Sequence, residues 1–140
     1  MIASLIFIDV NVFIYAAGAP HPYKAPCVKI LSDIEIGALT GAINTEILQE
    51  LLYRYTHIKL ADKGIQLCRY ILKYPLTILP VVENDIRLAI DLFQAHHTTS
   101  IKPRDAIHAA TMRNNGITRL ISADADFDRL SVIRVDPLTY

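Results

Sequence analysis

Ser4-Leu5-Ile6-Phe7-Ile8-Asp9 is a short, unbroken apolar run that stops on a carboxylate. A continuous apolar stretch of this kind, rich in β-branched and aromatic residues, reads as a strand buried on both faces, as in a parallel sheet. Parallel sheets gather functional groups beyond the carboxyl ends of their strands, and Asp9 stands there. A second apolar run, Arg119-Leu120-Ile121-Ser122, is followed closely by Asp124. Asp105 comes after Lys102-Pro103-Arg104 at the opening of a helical pattern, and Glu50 lies within another. Four acids at the edges of structural elements are expected to converge. Clustered carboxylates repel one another, a cost relieved when a cation binds between them. The pattern predicts a divalent metal site.

The segments between these runs are helical. Asn11 is read as the cap of a short helix over Val12 to Ala17, which Gly18 and Pro20 stop. A second helix is expected over Tyr23 to Ile36, with Gly37 ending it. Thr40 to Asn44 is a short strand, and Thr45 reads as the N-cap of a helix running to about His57. Lys59 to Tyr74 repeats apolar residues at helical spacing up to Pro75. Leu76 to Val82 reads as a strand, with Pro80 pointing to an early end or a sheet edge. A helix follows from Asn84, then the polar loop His96 to Ser100, then a helix from Pro103 to Asn115 stopped by Gly116. Strands at Arg119–Ser122 and Val132–Val135 flank a helical turn around Phe127. Strands alternating with helices predict an α/β fold of three layers, α/β/α, around a mostly parallel sheet.

Composition narrows the function classes. At 140 residues the chain is expected to form a single domain over residues 1–140. Its 52% hydrophobic and 20% charged content excludes disorder, and the apolar excess suits a subunit or partner interface. The formal net charge is zero, so any nucleic-acid contact must use a local basic patch. Cys27 and Cys68 form no CxxC pair, which fits a reducing cytoplasm. The apolar N-terminus meets Asp9 early and has no basic leader, so a signal peptide is not expected, nor is a membrane span.

Glu46 and Glu50 compete for one place in the acidic set. Taking Ile47, Leu48, Leu51, Leu52 and Tyr55 as the apolar stripe, Glu46 lies opposite its centre and Glu50 beside its border. Glu50 is therefore expected in the site, and Glu46 in solvent as a first-turn acid favourable to the helix dipole. His108 reads as a packing histidine rather than a ligand. Oxygen-only donors favour Mg²⁺ or Mn²⁺ over zinc, and hard cations held by carboxylates serve phosphoryl chemistry.

These residues resemble the PIN domain, a metal-dependent nuclease fold, and most closely the VapC-like toxin ribonucleases of prokaryotic toxin–antitoxin pairs. Ile8-Asp9-Val10-Asn11-Val12 is similar to that family's opening motif, and Ile47-Leu48-Gln49-Glu50-Leu51-Leu52-Tyr53 to its second. Arg104-Asp105-Ala106-Ile107-His108-Ala109-Ala110 is similar to the third, and Ile121-Ser122-Ala123-Asp124-Ala125-Asp126-Phe127-Asp128 to the fourth, with Ser122 where Thr is common. The ordered set spans nearly the whole chain and is far more specific than any one motif. The resemblance implies that Asp9, Glu50, Asp105 and Asp124 are the catalytic, metal-binding acids, with Asp126 supplementing Asp124 and Asn11 orienting the site. It implies in-line hydrolysis of RNA that leaves 5′-phosphate and 3′-hydroxyl ends. It also implies a homodimer silenced by an antitoxin protein.

Lys102 and Arg104 are candidate phosphate contacts, with Arg54 and Lys59 behind them. Tyr53 and Tyr55 could stack on bases, although packing explains Tyr55 equally well. Three alternatives compete. One is a housekeeping PIN nuclease in RNA processing, and another is a non-catalytic PIN-like binding protein. The third is a phosphatase of the haloacid-dehalogenase type, disfavoured because Asn11 stands where that chemistry wants a second aspartate.

Overall fold

The computed structural model describes residues 4–140, so residues 1–3 lie outside it. Five short strands form one sheet: β1 Ile6–Ile8, β2 Gly41–Asn44, β3 Thr77–Leu79, β4 Arg119–Ile121 and β5 Ile133–Val135. Six α-helices accompany them: α1 Val10–Ala17, α2 Lys24–Glu35, α3 Thr45–His57, α4 Ala61–Ile71, α5 Glu83–His96 and α6 Pro103–Asn114. A 3-10 helix, Ala125–Leu130, carries the turn expected around Phe127.

Every strand pairing is parallel, so the sheet is wholly rather than mostly parallel. The strand order is β3-β2-β1-β4-β5. β1 is central, and its three residues are buried without exception, as a strand covered on both faces requires. The chain steps outward from β1 through β2 to β3, then returns to lay β4 on the other side of β1. Right-handed crossovers put α1 to α4 on one face and α5 and α6 on the other. The packing agrees: α1 meets α2 and α3, and α3 meets α4. On the other face, α5 meets α6, which meets the 3-10 helix. That is the expected three-layer arrangement.

Reversal of strand order makes a topological switch point between β1 and β4, where crossovers leave in opposite directions and open a crevice. Asp9 follows β1 there, and Ser122 to Asp124 follow β4. The ladder continues one bond past the strands, from Asp9 N to Ile121 O at 3.0 Å, which holds the two exits side by side. Phe7 and Phe127, both fully buried, pack against His108 of the site.

Several local expectations need correction. Asp9, not Asn11, caps α1: its side chain accepts from Val10 N at 2.8 Å, which frees Asn11 for other bonds. Asn44, not Thr45, caps α3, accepting from Ile47 N at 3.1 Å. The Thr45 hydroxyl instead accepts from Val81 N at 3.1 Å, across the exit of β3. β3 stops at Leu79, since Pro80 has no N–H to give a ladder. Gly116 ends α6 as expected, with φ +69°, a conformation that favours glycine. Among the described residues no helix is long and apolar enough to cross a membrane.

Candidate functional site

Asp9 sits at the bottom of the crevice and is 4% exposed. Its Oδ1 takes the Val10 N–H, and its Oδ2 accepts from the Ser122 hydroxyl at 2.6 Å and Asn11 Nδ2 at 3.1 Å. Burial pushes its carboxyl pKa above the ordinary range, although the charge of His108 and the Ser122 and Val10 hydrogen bonds oppose that shift. Asn11 joins the two strand exits. Its Nδ2 also reaches Ser122 Oγ at 3.1 Å, and its Oδ1 accepts from Ala123 N at 3.2 Å. The fully buried Ser122 hydroxyl also accepts from Asp124 N at 3.0 Å. One hydroxyl thus fixes Asp9, Asn11 and the turn that presents Asp124. This is the position of the fourth motif at which threonine is common.

Asp105 enters from the first turn of α6, where Pro103 is pre-set for a helix start. Its Oδ2 accepts from Lys102 N at 3.0 Å and so caps the helix. Its pKa is raised chiefly by burial, against the Lys102 hydrogen bond, with the charges of Asp124 and Asp9 adding to the rise. Asp124 Oδ1 accepts from Asp126 N at 3.0 Å, and Asp126 Oδ1 accepts from Ser100 at 2.5 Å. Asp105, Asp124 and Asp126 offer carboxylate oxygens within 4.8 Å of one another, and each retains one oxygen without a hydrogen bond among the described residues. Converging, unengaged hard donors fit a divalent cation that takes oxygen ligands. Asp128 is set apart: Arg134 holds it at 2.9 Å in a pair at the surface.

Glu50 projects into the same crevice from α3, 3% exposed. Arg54, one turn later, reaches its Oε2 through Nε at 3.1 Å and Nη2 at 2.8 Å. Arg104 Nε meets the same oxygen at 3.0 Å, and His108 Nε2 lies 3.2 Å from Oε1. Burial alone would raise the Glu50 pKa, but His108, Arg54 and Arg104 outweigh it and hold it below the usual range. Asp9, Glu50 and His108 form a second group of donor atoms within 4.8 Å. The Asp105–Asp124–Asp126 group suits a cation better, because Glu50 is already engaged by cationic partners.

His108 is both a packing residue and part of the site. It is fully buried between Phe7 and Phe127, with ring centroids at 5.5 Å and 6.5 Å, and its Nδ1 has no partner among the described residues. A carboxylate only accepts, so Nε2 carries the proton toward Glu50. The signal for it in the sequence is its spacing from Asp105, three residues along α6, since such pairs share a helix face.

Glu46 is half-buried rather than free in solvent, and burial raises its pKa. The apolar stripe of α3 is centred less far round the helix than the sequence suggests, because Leu52 is 40% exposed and does not belong to it. Glu46 and Glu50 are one turn apart and only about 40° apart on the wheel, so a cleft that takes one borders the other. Lys102 is exposed and Arg104 half-buried beside Asp105. Tyr53 is exposed and stacked on His57 at 6.1 Å, whereas Tyr55 is buried.

The comparisons with known proteins agree with this site. The PIN domain family profile matches residues 6–133. Ribonuclease VapC13 of Mycobacterium tuberculosis is 33% identical over 124 residues, covering 89% of this chain and 93% of the relative. Ribonuclease VapC7 of the same organism is 28% identical over 139 residues, covering 95% and 92%. Among solved structures, VapC20 of Mycobacterium tuberculosis, described as a sarcin-ricin loop cleaving toxin, superposes with a TM-score of 0.79 at 17% identity, covering 94% of this chain and 99% of that one. VapBC2 of Rickettsia felis, bound to a promoter DNA fragment, gives 0.71 at 18% identity, covering 94% and 97%. A matched profile across most of the sequence, on a fold whose switch point gathers these acids, places the chain in the PIN domain family.

Proposed function

We propose that this chain, acting as a single domain, is a divalent-metal-dependent endoribonuclease and the toxin of a toxin–antitoxin pair. The observation that carries the reading is the convergence of Asp105, Asp124 and Asp126, each with an unengaged carboxylate oxygen, beside buried Asp9 at the switch point. These four are the carboxylates we assign to an Mg²⁺ or Mn²⁺ ion, and Glu50 belongs to the same acidic set. When bound, such an ion supplies Lewis-acid stabilisation of phosphoryl oxygens and a nucleophile at neutral pH.

The chain's own residues do the rest. Ser122 and Asn11 lock Asp9 so that its carboxylate cannot rotate away. The capped start of α6 holds Asp105 at the crevice mouth, with Lys102 and Arg104 beside it as contacts for RNA phosphates. Burial raises the pKa values of Asp9 and Asp105, and positive charge entering the crevice would lower them again.

The toxin role is supported by relatives named as VapC ribonucleases and by structural neighbours that include a toxin–antitoxin complex from Klebsiella pneumoniae. From these we infer an antitoxin partner, a homodimer and a cytoplasmic site of action. The exposed apolar residues Ile86 and Ile90 on α5 suit a covered interface. The test is RNA cleavage by purified protein with Mg²⁺ or Mn²⁺ against an EDTA control. Asp9→Asn and Asp105→Asn should each abolish it.

A further inference from the structure

We infer that Glu50 does not ligate the metal but is a positioning residue, a buried anion that anchors Arg54 and Arg104 as a paired phosphate-binding site on the substrate RNA. The phosphate half of this inference rests on the nuclease reading above; the role of Glu50 toward the ion does not.

A carboxylate offers about four lone-pair sites. In Glu50, Oε2 accepts from Arg54 Nε and also pairs with Arg54 Nη2 at 2.8 Å and Arg104 Nε at 3.0 Å, more partners than its two lone pairs serve, while Oε1 meets His108 Nε2 at 3.2 Å. An ion on Oε2 would have to displace an arginine and leave a guanidinium unpaired beside a cation. An ion on Oε1 would share that oxygen with His108 and stand next to two guanidiniums held on the same carboxylate. Asp105, Asp124 and Asp126 pose no such conflict, because each has an oxygen to give.

The geometry of the arginines gives this arrangement its use. Glu50 is buried, with its side chain 4% exposed, whereas those of Arg54 and Arg104 are 41% and 30% exposed. Glu50 grips both guanidiniums by the Nε edge. Arg54 Nη1 and both terminal nitrogens of Arg104 have no partner among the described residues. A guanidinium held at one edge keeps its remaining N–H groups in a fixed fork, the geometry that fits phosphate oxygens. One carboxylate and two guanidiniums leave a local charge of +1 next to the aspartates, in a chain with no net charge. The two arginines come from different helices, α3 and α6, and their shared anchor fixes the spacing of the guanidiniums. That makes Glu50 the part on which the pair depends.

Two measurements test the two halves separately. The first is Mn²⁺ binding by isothermal titration to the wild type, Glu50→Gln and Asp105→Asn. Glu50→Gln should bind Mn²⁺ nearly as well as the wild type, whereas Asp105→Asn should lose about tenfold or more. An equal loss in Glu50→Gln overturns the inference. If Glu50→Gln does not fold, anomalous diffraction from Mn²⁺-soaked wild-type crystals decides the point. Mn²⁺ on the aspartates, with Glu50 still held by the arginines, is the expected result; Mn²⁺ bonded to Glu50 overturns it.

The second measurement is the salt dependence of binding to a short fluorescein-labelled single-stranded RNA in EDTA. The slope of log affinity against log salt should fall by about 0.7 for each phosphate no longer neutralised, so by about 1.4 in Arg54→Ala/Arg104→Ala. Glu50→Gln should move it in the same direction, although it removes a negative charge. An unchanged slope in the double variant overturns the phosphate site. Wild-type protein that neither binds nor cleaves RNA would instead count against the nuclease reading, and the Mn²⁺ measurement would still stand.

Discussion

Neutralising Asp105 should stabilise the metal-free protein and at the same time remove its response to metal. In Asp105→Asn the amide oxygen can still accept from Lys102 N, so the start of α6 is kept. What disappears is a negative charge whose oxygen lies within 4.8 Å of oxygens on Asp124 and Asp126. At that separation each like-charge pair costs about 1 kcal/mol with bulk-water screening and about 3.5 kcal/mol at an effective dielectric near 20. Asp124 and Asp126 are half-exposed, so the lower part of that range applies and the gross relief is about 2–3 kcal/mol. Against it stands about 0.3–1 kcal/mol for losing a negative charge at a helix N-terminus. The net gain is about 1–2 kcal/mol, or roughly 5 °C in Tm for a chain of this size. Mn²⁺ reverses the order, since an ion at a hundred times its Kd stabilises the wild type by about 2.7 kcal/mol and the variant by much less. Thermal unfolding at neutral pH in EDTA and in Mn²⁺ reads all four states. If Asp105→Asn is less stable than the wild type in EDTA, or gains as much from Mn²⁺, the three carboxylates are not a cation site.

Two further outcomes come from the same geometry. Ser122→Ala removes the hydroxyl that joins Asp9, Asn11 and Asp124 N. It should cost about 1–3 kcal/mol of stability and cut RNA cleavage by about tenfold, while Ser122→Thr retains both; cleavage by Ser122→Ala at the wild-type rate would contradict the bracing role. The pH dependence has a defined sign: Asp9 and Asp105 have raised folded-state pKa values, so their contribution is most favourable below the ordinary carboxylate range and is lost as pH rises through the raised values. Glu50 acts oppositely, contributing stability that is lost as pH falls through its lowered value. Tm in EDTA should therefore fall as pH rises above the ordinary carboxylate range, and the gain from Mn²⁺ should grow over the same interval, because protons and the ion compete for the same oxygens. A gain from Mn²⁺ that does not vary with pH would place the ion elsewhere.

The parts of this site legible in the sequence are those tied to backbone periodicity. Asp9 and Asp124 can be placed because a buried strand announces its end, and Asp105 because Pro103 announces a helix start. The harder parts depend on which face of a helix the fold covers. An apolar stripe on α3 that includes Leu52, which the tertiary structure leaves exposed, puts Glu46 in solvent, where the fold does not. His108 offers the sequence only its three-residue spacing from Asp105, and its contact with Glu50 spans 58 positions, beyond any local pattern. The caps of α1 and α3 fall one or two residues from where local signals put them. Asp9, Asn11, Asn44 and Thr45 are all competent caps, and long-range partners decide among them. Arg54 and Arg104 stand as separate basic residues in the sequence; only the structure joins them through Glu50.

The most direct measurement is cleavage of RNA by the purified protein, with Mn²⁺ or Mg²⁺ and with EDTA, followed by analysis of the product ends. Metal-dependent cleavage to 5′-phosphate and 3′-hydroxyl ends, absent in EDTA and in Asp9→Asn and Asp105→Asn, is the expected result. Cleavage that persists in EDTA, or in both variants, would contradict a metal-dependent nuclease built on these acids.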